Sequence, residues 1–237
     1  SDLGSSGEVS VSTGASTAGN SGGIIMRAGK AVENGGAVML SAGSGAQRGG
    51  SINIQAGEGS SVAGGNVHIA SGGSDTGVGG SIAMVTSAGA STGGIQMRTG
   101  TASVGSSGNL ILETGSSSSA ESGSIDVRVG MSQGGQGGDI TLQAGNAAAG
   151  RGGSIAMQSG AGGESSGAVT VSSAASAINS GNVTIGSGKA ATGQSGSISL
   201  ATGTASSGSA GNIEVESGAS SAGEDRLQDV PLCQRGR

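Results

Sequence analysis

Side chains able to do chemistry are few in this sequence, and they lie far apart. His68 is the only histidine of the 237 residues, and Cys233 is the only cysteine. A zinc site needs three or four ligands together, and a nucleophilic triad needs a histidine beside its nucleophile. His68 falls between Val67 and Ile69, which predicts an outward-pointing side chain. We therefore expect no metal, no cofactor and no catalytic residue.

Paired carboxylates are equally scarce. Glycoside hydrolysis needs an acid and a base beside one bond, and only Glu214 and Glu216 come close, at the end of the regular sequence. Residues 134–139 read GGQGGD, which matches a calcium-binding nonapeptide repeat once. The match does not recur, and Thr141 stands where that repeat needs a large apolar residue. The sequence predicts that the protein is not an enzyme.

Composition narrows the class of partner. The net charge is -5 and the ten Lys and Arg residues are scattered, so we expect no nucleic-acid partner. No apolar run approaches the roughly 20 residues that span a bilayer, so we expect no membrane span. Asn182 begins the one N-glycosylation sequon and is a candidate glycan site. There are 54 glycines and no aromatic residue, which predicts a thin interior.

A repeat of 13–15 residues organises everything up to residue 218. Each repeat has a first aliphatic residue and, two residues later, a second. An i, i+2 pair is strand periodicity, with both side chains on one face. The first aliphatics are Val9, Ile24, Val38, Ile52, Val67, Ile82, Ile95, Leu110, Ile125, Ile140, Ile155, Val169, Val183, Ile198 and Ile213. The second aliphatics are Val11, Met26, Leu40, Ile54, Ile69, Met84, Met97, Leu112, Val127, Leu142, Met157, Val171, Ile185, Leu200 and Val215.

Small residues hold fixed places in the repeat. A leading glycine stands two residues before every first aliphatic, and a trailing glycine stands five residues after most of them. Both are predicted to turn the chain sharply through positive φ. The leading glycines expected to form structural turns include Gly22, Gly50, Gly65, Gly80, Gly108, Gly123, Gly138, Gly153, Gly181, Gly196 and Gly211. Seven residues after the first aliphatic stands Gly, Ala or Ser, which predicts a second, small-residue wall facing the aliphatics.

This pattern predicts an all-β fold, a single-stack two-walled β-solenoid, or β-helix, of about 15 coils. Its core is expected to contain Ile52, Ile54, Ile125, Val127, Ile140, Leu142, Ile155 and Met157. Arg98, Glu113 and Arg128 each stand three residues after a first aliphatic of successive repeats. Stacking predicts that they form an alternating-charge ladder on the outer face. Residues 1–218 form the array, and residues 219–237 are a non-repeat tail, either a cap or a linker.

The repeats GGDITLQAG (137–145), GGSIAMQSG (152–160) and SGSISLATG (195–203) resemble the Gly/Ser-rich tandem repeats of predicted surface and fibre proteins of microalgae and other aquatic microbes. The resemblance covers residues 1–218 and is one of repeat style. It implies a β-solenoid rod at the cell surface or outside the cell, with no catalytic residue carried over.

Two functions follow as expectations. The first is a structural one, in which the chain is a segment of an extracellular filament or cell-surface matrix. Its copies would associate head to tail through the open edges of the solenoid, with surface glycans as further partners. The alternative is ice binding by a flat, small-residue face. The column between the two aliphatics is irregular, reading Ser10, Ile25, Met39, Asn53 and His68 in the first five repeats.

Overall fold

The described backbone lacks regular secondary structure. The structure is a computed structural model that describes residues 6–218. Within that range no residue belongs to a helix or a β-strand. The expected all-β, two-walled β-solenoid is therefore wrong, because its coils would have to pair as strands. The tail, with Cys233, lies outside the described residues.

The repeat is nevertheless visible in the path of the chain. Within residues 6–218 the backbone bends sharply once in each repeat, seven to ten residues after the first aliphatic. The stretches between the bends contain the aliphatic residues and are free of sharp turns. The bends fall at residues 17–19, 32–33, 46–47, 60–62, 75–77, 89–91, 103–105, 118–120, 133–135, 148–150, 163–164, 177–178, 191–193 and 206–208.

The chain divides into two units, each with seven of these bends among its described residues. The first unit is Ser1–Glu113 and the second is Thr114–Arg237. Both are built in the same way, as straight segments carrying aliphatic residues alternate with loops. The division predicted from the sequence, at residue 218, stays a prediction.

Six of the described loops are closed by a neck, which is the approach of a trailing glycine to the next leading glycine. In six repeats the leading glycine's N–H donates to the trailing glycine's carbonyl oxygen. The N···O distances are 3.3 Å for Gly36–Gly29, 2.8 Å for Gly50–Gly43, 2.9 Å for Gly65–Gly57, 2.8 Å for Gly80–Gly72, 2.9 Å for Gly153–Gly145 and 2.9 Å for Gly167–Gly160. These six are the backbone–backbone hydrogen bonds found within residues 6–218, so none joins the aliphatic residues of one repeat to those of another.

The residue four places after the first aliphatic is here called the end residue. In all six hydrogen-bonded necks it is Ala or Ser: Ala28, Ala42, Ala56, Ser71, Ala144 and Ser159. In two of the repeats with a threonine at this place, the threonine hydroxyl group makes the contact instead. Thr13 and Thr114 then donate their hydroxyl protons to the carbonyl oxygens of Gly22 and Gly123, at 3.1 Å each. A small end residue thus permits direct closure, and threonine substitutes its own hydroxyl group.

The neck also explains the leading glycines. None of those expected to form structural turns has positive φ; the positive φ values within residues 6–218 belong to Gly105, Gly150, Gly193 and Gly208. A Cβ added at Gly50 would instead lie 3.2 Å from the Cβ of Ala42. The leading position is therefore small because another part of the chain approaches it, and not because the backbone is left-handed there.

The residue seven places after the first aliphatic sets the type of turn. Serine accepts a hydrogen bond from a backbone N–H two or three residues on, as Ser74 does from Gly77 at 2.9 Å and Ser117 from Ala120 at 3.1 Å. Alanine occurs in all four repeats that have a positive-φ glycine three residues later: Ala102, Ala147, Ala190 and Ala205. The small residue at this place begins a turn, so the predicted small-residue wall is absent.

Glycine at this place allows a third, tighter turn. A Cβ added at Gly59 would fall well inside van der Waals contact with the carbonyl carbon and oxygen of Ala63. The same overlap occurs between Gly45 and Arg48 and between Gly162 and Ser165. Only glycine fits these three turns as they stand.

We expect Gly59→Ala to open the loop that Gly57 and Gly65 close, at a local cost of about 1 to 3 kcal/mol. The measurement is the exchange rate and temperature coefficient of the Gly65 amide proton, which is hydrogen-bonded to Gly57 in the native chain. Gly57→Ala is the matched control, because a Cβ there meets nothing within 4 Å. An unchanged Gly65 amide in Gly59→Ala would contradict this turn geometry.

The described residues form no core. The eight residues expected in the core are all exposed, from 50% for Ile52 to 74% for Leu142. Within residues 6–218 no residue is buried. Two aliphatic side chains per repeat offset only part of the entropy lost when so many glycines are ordered, and no hydrogen-bond ladder between segments supplies the remainder.

Candidate interaction surface

The most prominent surface feature is the set of aliphatic pairs, meaning the first and second aliphatic of each repeat. From Ile24 onward the first aliphatics are 50–66% exposed and the second aliphatics are 60–75% exposed. A soluble monomer scatters its exposed apolar residues singly, whereas here they recur in every repeat. A regular apolar surface without a partner indicates an interaction surface.

The exposed fraction of an aliphatic side chain depends on its place in the repeat. The first aliphatic of each repeat from Ile24 onward follows a described loop, and in every such repeat it is no more exposed than 66%. Val9, which no described loop precedes, is 92% exposed. Aliphatic residues within the loops are almost fully exposed, as at Val62 with 97% and Val78 with 98%. The aliphatic pairs are thus distinct from the loop aliphatics in their surroundings.

Backbone polar groups add to this surface. Among residues 6–218, backbone–backbone hydrogen bonds occur only at the necks. The N–H and C=O groups beside the aliphatic pairs are therefore available for hydrogen bonds with water or with another chain. A straight stretch that combines free backbone groups with apolar side chains is the usual starting point for association between chains.

Charged residues divide into paired and unpaired groups. Arg128 forms a two-contact ion pair with Asp126 of its own segment: Nε donates to Oδ1 at 2.6 Å and the terminal amino group contacts Oδ2. Arg98 and Glu113 take part in no ion pair within the described residues, although they belong to the same unit. The predicted three-residue ladder is not formed by contacts within the first unit, and Arg128 is already neutralised.

The remaining candidates are isolated. His68 and Asn182 are exposed, so the predicted glycan site is accessible and stays a prediction. Glu214 lines a shallow, open hollow together with Thr202, Gly211 and Ile213. Most leading glycines approach an end residue in this way, although Gly93 does not, so the hollow is an ordinary loop end with one carboxylate beside it.

Three further properties bear on function: metal ligands, membrane-spanning helices and similarity to known proteins. In residues 6–218 no three His, Cys, Asp or Glu side chains gather in a group that would hold a metal ion. No helix in the described part of the chain has the length and apolar character to cross a membrane. Comparison of the whole chain with protein-family models, curated proteins and solved structures finds no match.

Proposed function

We propose that the chain is a structural protein, a segment of an extracellular filament or cell-surface matrix, whose copies associate through their aliphatic pairs. The observation that carries the proposal is the exposure of both aliphatics in every described repeat without a core to receive them. Contact between copies would remove this apolar area from water, at roughly 25 cal/mol per Å². Because the repeat recurs along the chain, many weak contacts between two copies act together.

The free backbone groups support the same proposal. Hydrogen bonds to a second chain would satisfy the N–H and C=O groups that the straight segments leave without a backbone partner. The route of association differs from the one predicted from the sequence. Head-to-tail growth through solenoid edges required the solenoid, whereas association along the aliphatic pairs requires only the straight segments.

The extracellular location rests on the repeat-style resemblance and the accessible Asn182, and surface glycans remain proposed partners. Ice binding stays a prediction. The flat, small-residue wall on which it depended is replaced by turns, so no feature of the described residues favours it over association between copies.

We test the proposal by replacing four members of the aliphatic pairs with serine: Ile125, Val127, Ile140 and Leu142. The native chain is expected to assemble above a threshold concentration, and this variant should need a concentration at least about tenfold higher. Sedimentation and negative-stain electron microscopy over a concentration series give the threshold.

The matched control replaces four loop aliphatics, Val32, Val62, Val78 and Val104, with serine. They are 95–104% exposed and lie in or beside the bends. This control removes the same number of aliphatic side chains but should shift the threshold less than about twofold. A native chain that remains monomeric at every concentration would reject the proposed function, and equal shifts in both variants would reject the aliphatic pairs as the contact surface.

A further inference from the structure

The charges beside the aliphatic pairs indicate how two copies align. Arg98 and Glu113 are both exposed and each stands three residues after a first aliphatic. Neither forms an ion pair within the described residues. Arg128 has the same place in the next repeat, but Asp126 neutralises it. Arg27 and Glu216 have the same place in distant repeats, so Arg98 and Glu113 are the unpaired opposite charges at this place in successive repeats.

We propose that two copies associate in parallel with an offset of one repeat, so that the Arg98 segment of one copy lies against the Glu113 segment of the next. This inference rests on the proposed function and specifies its alignment. The partner is a second copy of this chain, and the recognition is a guanidinium–carboxylate contact flanked by aliphatic pairs.

The sequence spacing supports this offset. Arg98 and Glu113 are 15 residues apart, and the same shift of 15 brings Ile95 onto Leu110 and Met97 onto Leu112. A parallel alignment thus matches the first aliphatic, the second aliphatic and the charge together. An antiparallel alignment that opposes Arg98 and Glu113 would set Ile95 and Met97 against Ser116 and Thr114, and elsewhere it would match second aliphatics only.

Alignment without an offset is disfavoured by the same residues. It would place each Arg98 beside the other copy's Arg98, and each Glu113 beside the other copy's Glu113. Like charges on adjacent chains repel, and opposite charges attract. An offset of one repeat also leaves an unpaired repeat at each end, so association continues to further copies and does not close as a dimer.

Charge reversal in the full chain distinguishes the two alignments. With the offset, Arg98→Glu and Glu113→Arg each create a repulsive contact and raise the assembly threshold about two- to tenfold, whereas the double variant R98E/E113R recovers part of this loss, since residue 113 also faces Arg128, which is paired with Asp126. Without an offset, each single variant replaces one like-charge contact by another, and the threshold does not change. The single-variant effects should disappear in about 1 M salt, where screening reaches contact distance.

Arg151→Glu and Glu164→Arg are the matched controls, because they make the same changes in net charge outside the straight segments. They should leave the threshold within twofold of the native value. Native assembly with no effect of the single variants, or no recovery in the double variant, would overturn the offset while leaving the proposed function intact. Failure of the native chain to assemble would instead reject the proposed function itself.

Discussion

Peroxide treatment is expected to raise the assembly threshold at least about 100-fold, because four second aliphatics are methionines. Met26, Met84, Met97 and Met157 are 60–75% exposed, so an oxidant reaches them directly. Each thioether takes one oxygen atom from peroxide and becomes a sulfoxide, with release of water. The sulfoxide is polar, and its burial between copies costs on the order of 1 kcal/mol or more per residue.

The chain contains its own control for this experiment. Met39 and Met131 are 88% and 86% exposed, but they lie outside the aliphatic pairs. A variant with leucine at the other four methionines still oxidises at these two. It should assemble before and after treatment, with mass spectrometry confirming the two sulfoxides. Equal loss of assembly in the native chain and in this variant would show that oxidation acts somewhere other than the aliphatic pairs.

Halving the array is expected to raise the assembly threshold by a similar factor. If each aliphatic pair contributes about 0.5 kcal/mol to association, losing seven of them raises the threshold by on the order of 100-fold or more. The test compares the full chain with its two units, residues 1–113 and 114–237, each of which has seven bends among its described residues. Light scattering over a concentration series measures the three thresholds.

An equimolar mixture of the two halves is the control for composition. It contains every residue of the full chain but not the connection between the units, so it should behave like the halves. If either half assembles at the threshold of the full chain, association depends on a local site and not on the number of repeats. Together with the serine variants, this result would locate that site.

Local features of the chain were largely predictable from its sequence. The 13–15-residue period predicted a chain that turns in every repeat, but the turns were expected at the leading and trailing glycines, and every described bend lies seven to ten residues after its first aliphatic. The positions of the leading glycines also followed from the period, although the reason for glycine there is a lack of space, because a Cβ added at Gly50 would meet Ala42 and the backbone of Gly43. These features depend on steric effects within a few residues, which the residue types themselves determine.

The roles of two small-residue positions were not predictable. Positive φ was expected at leading glycines such as Gly22 and occurs instead at glycines ten residues after a first aliphatic, as at Gly150. The residue seven places after the first aliphatic, as at Ser74, was expected to form a wall and begins a turn. A small side chain suits a left-handed turn, a close approach or a packed wall equally well. Its identity therefore does not tell these roles apart.

The sequence by itself determined the repeat, its turning once or more in each period and the recurring aliphatic pairs, because each depends on residues close together along the chain. Only the tertiary structure decided that successive segments do not pair as strands and that the aliphatics remain exposed. Stacking requires hydrogen bonds between segments about 15 residues apart, and its free energy is a balance between chain entropy and contacts made along the whole array. An i, i+2 pattern of aliphatics is the same whether its partner is the next segment or another copy.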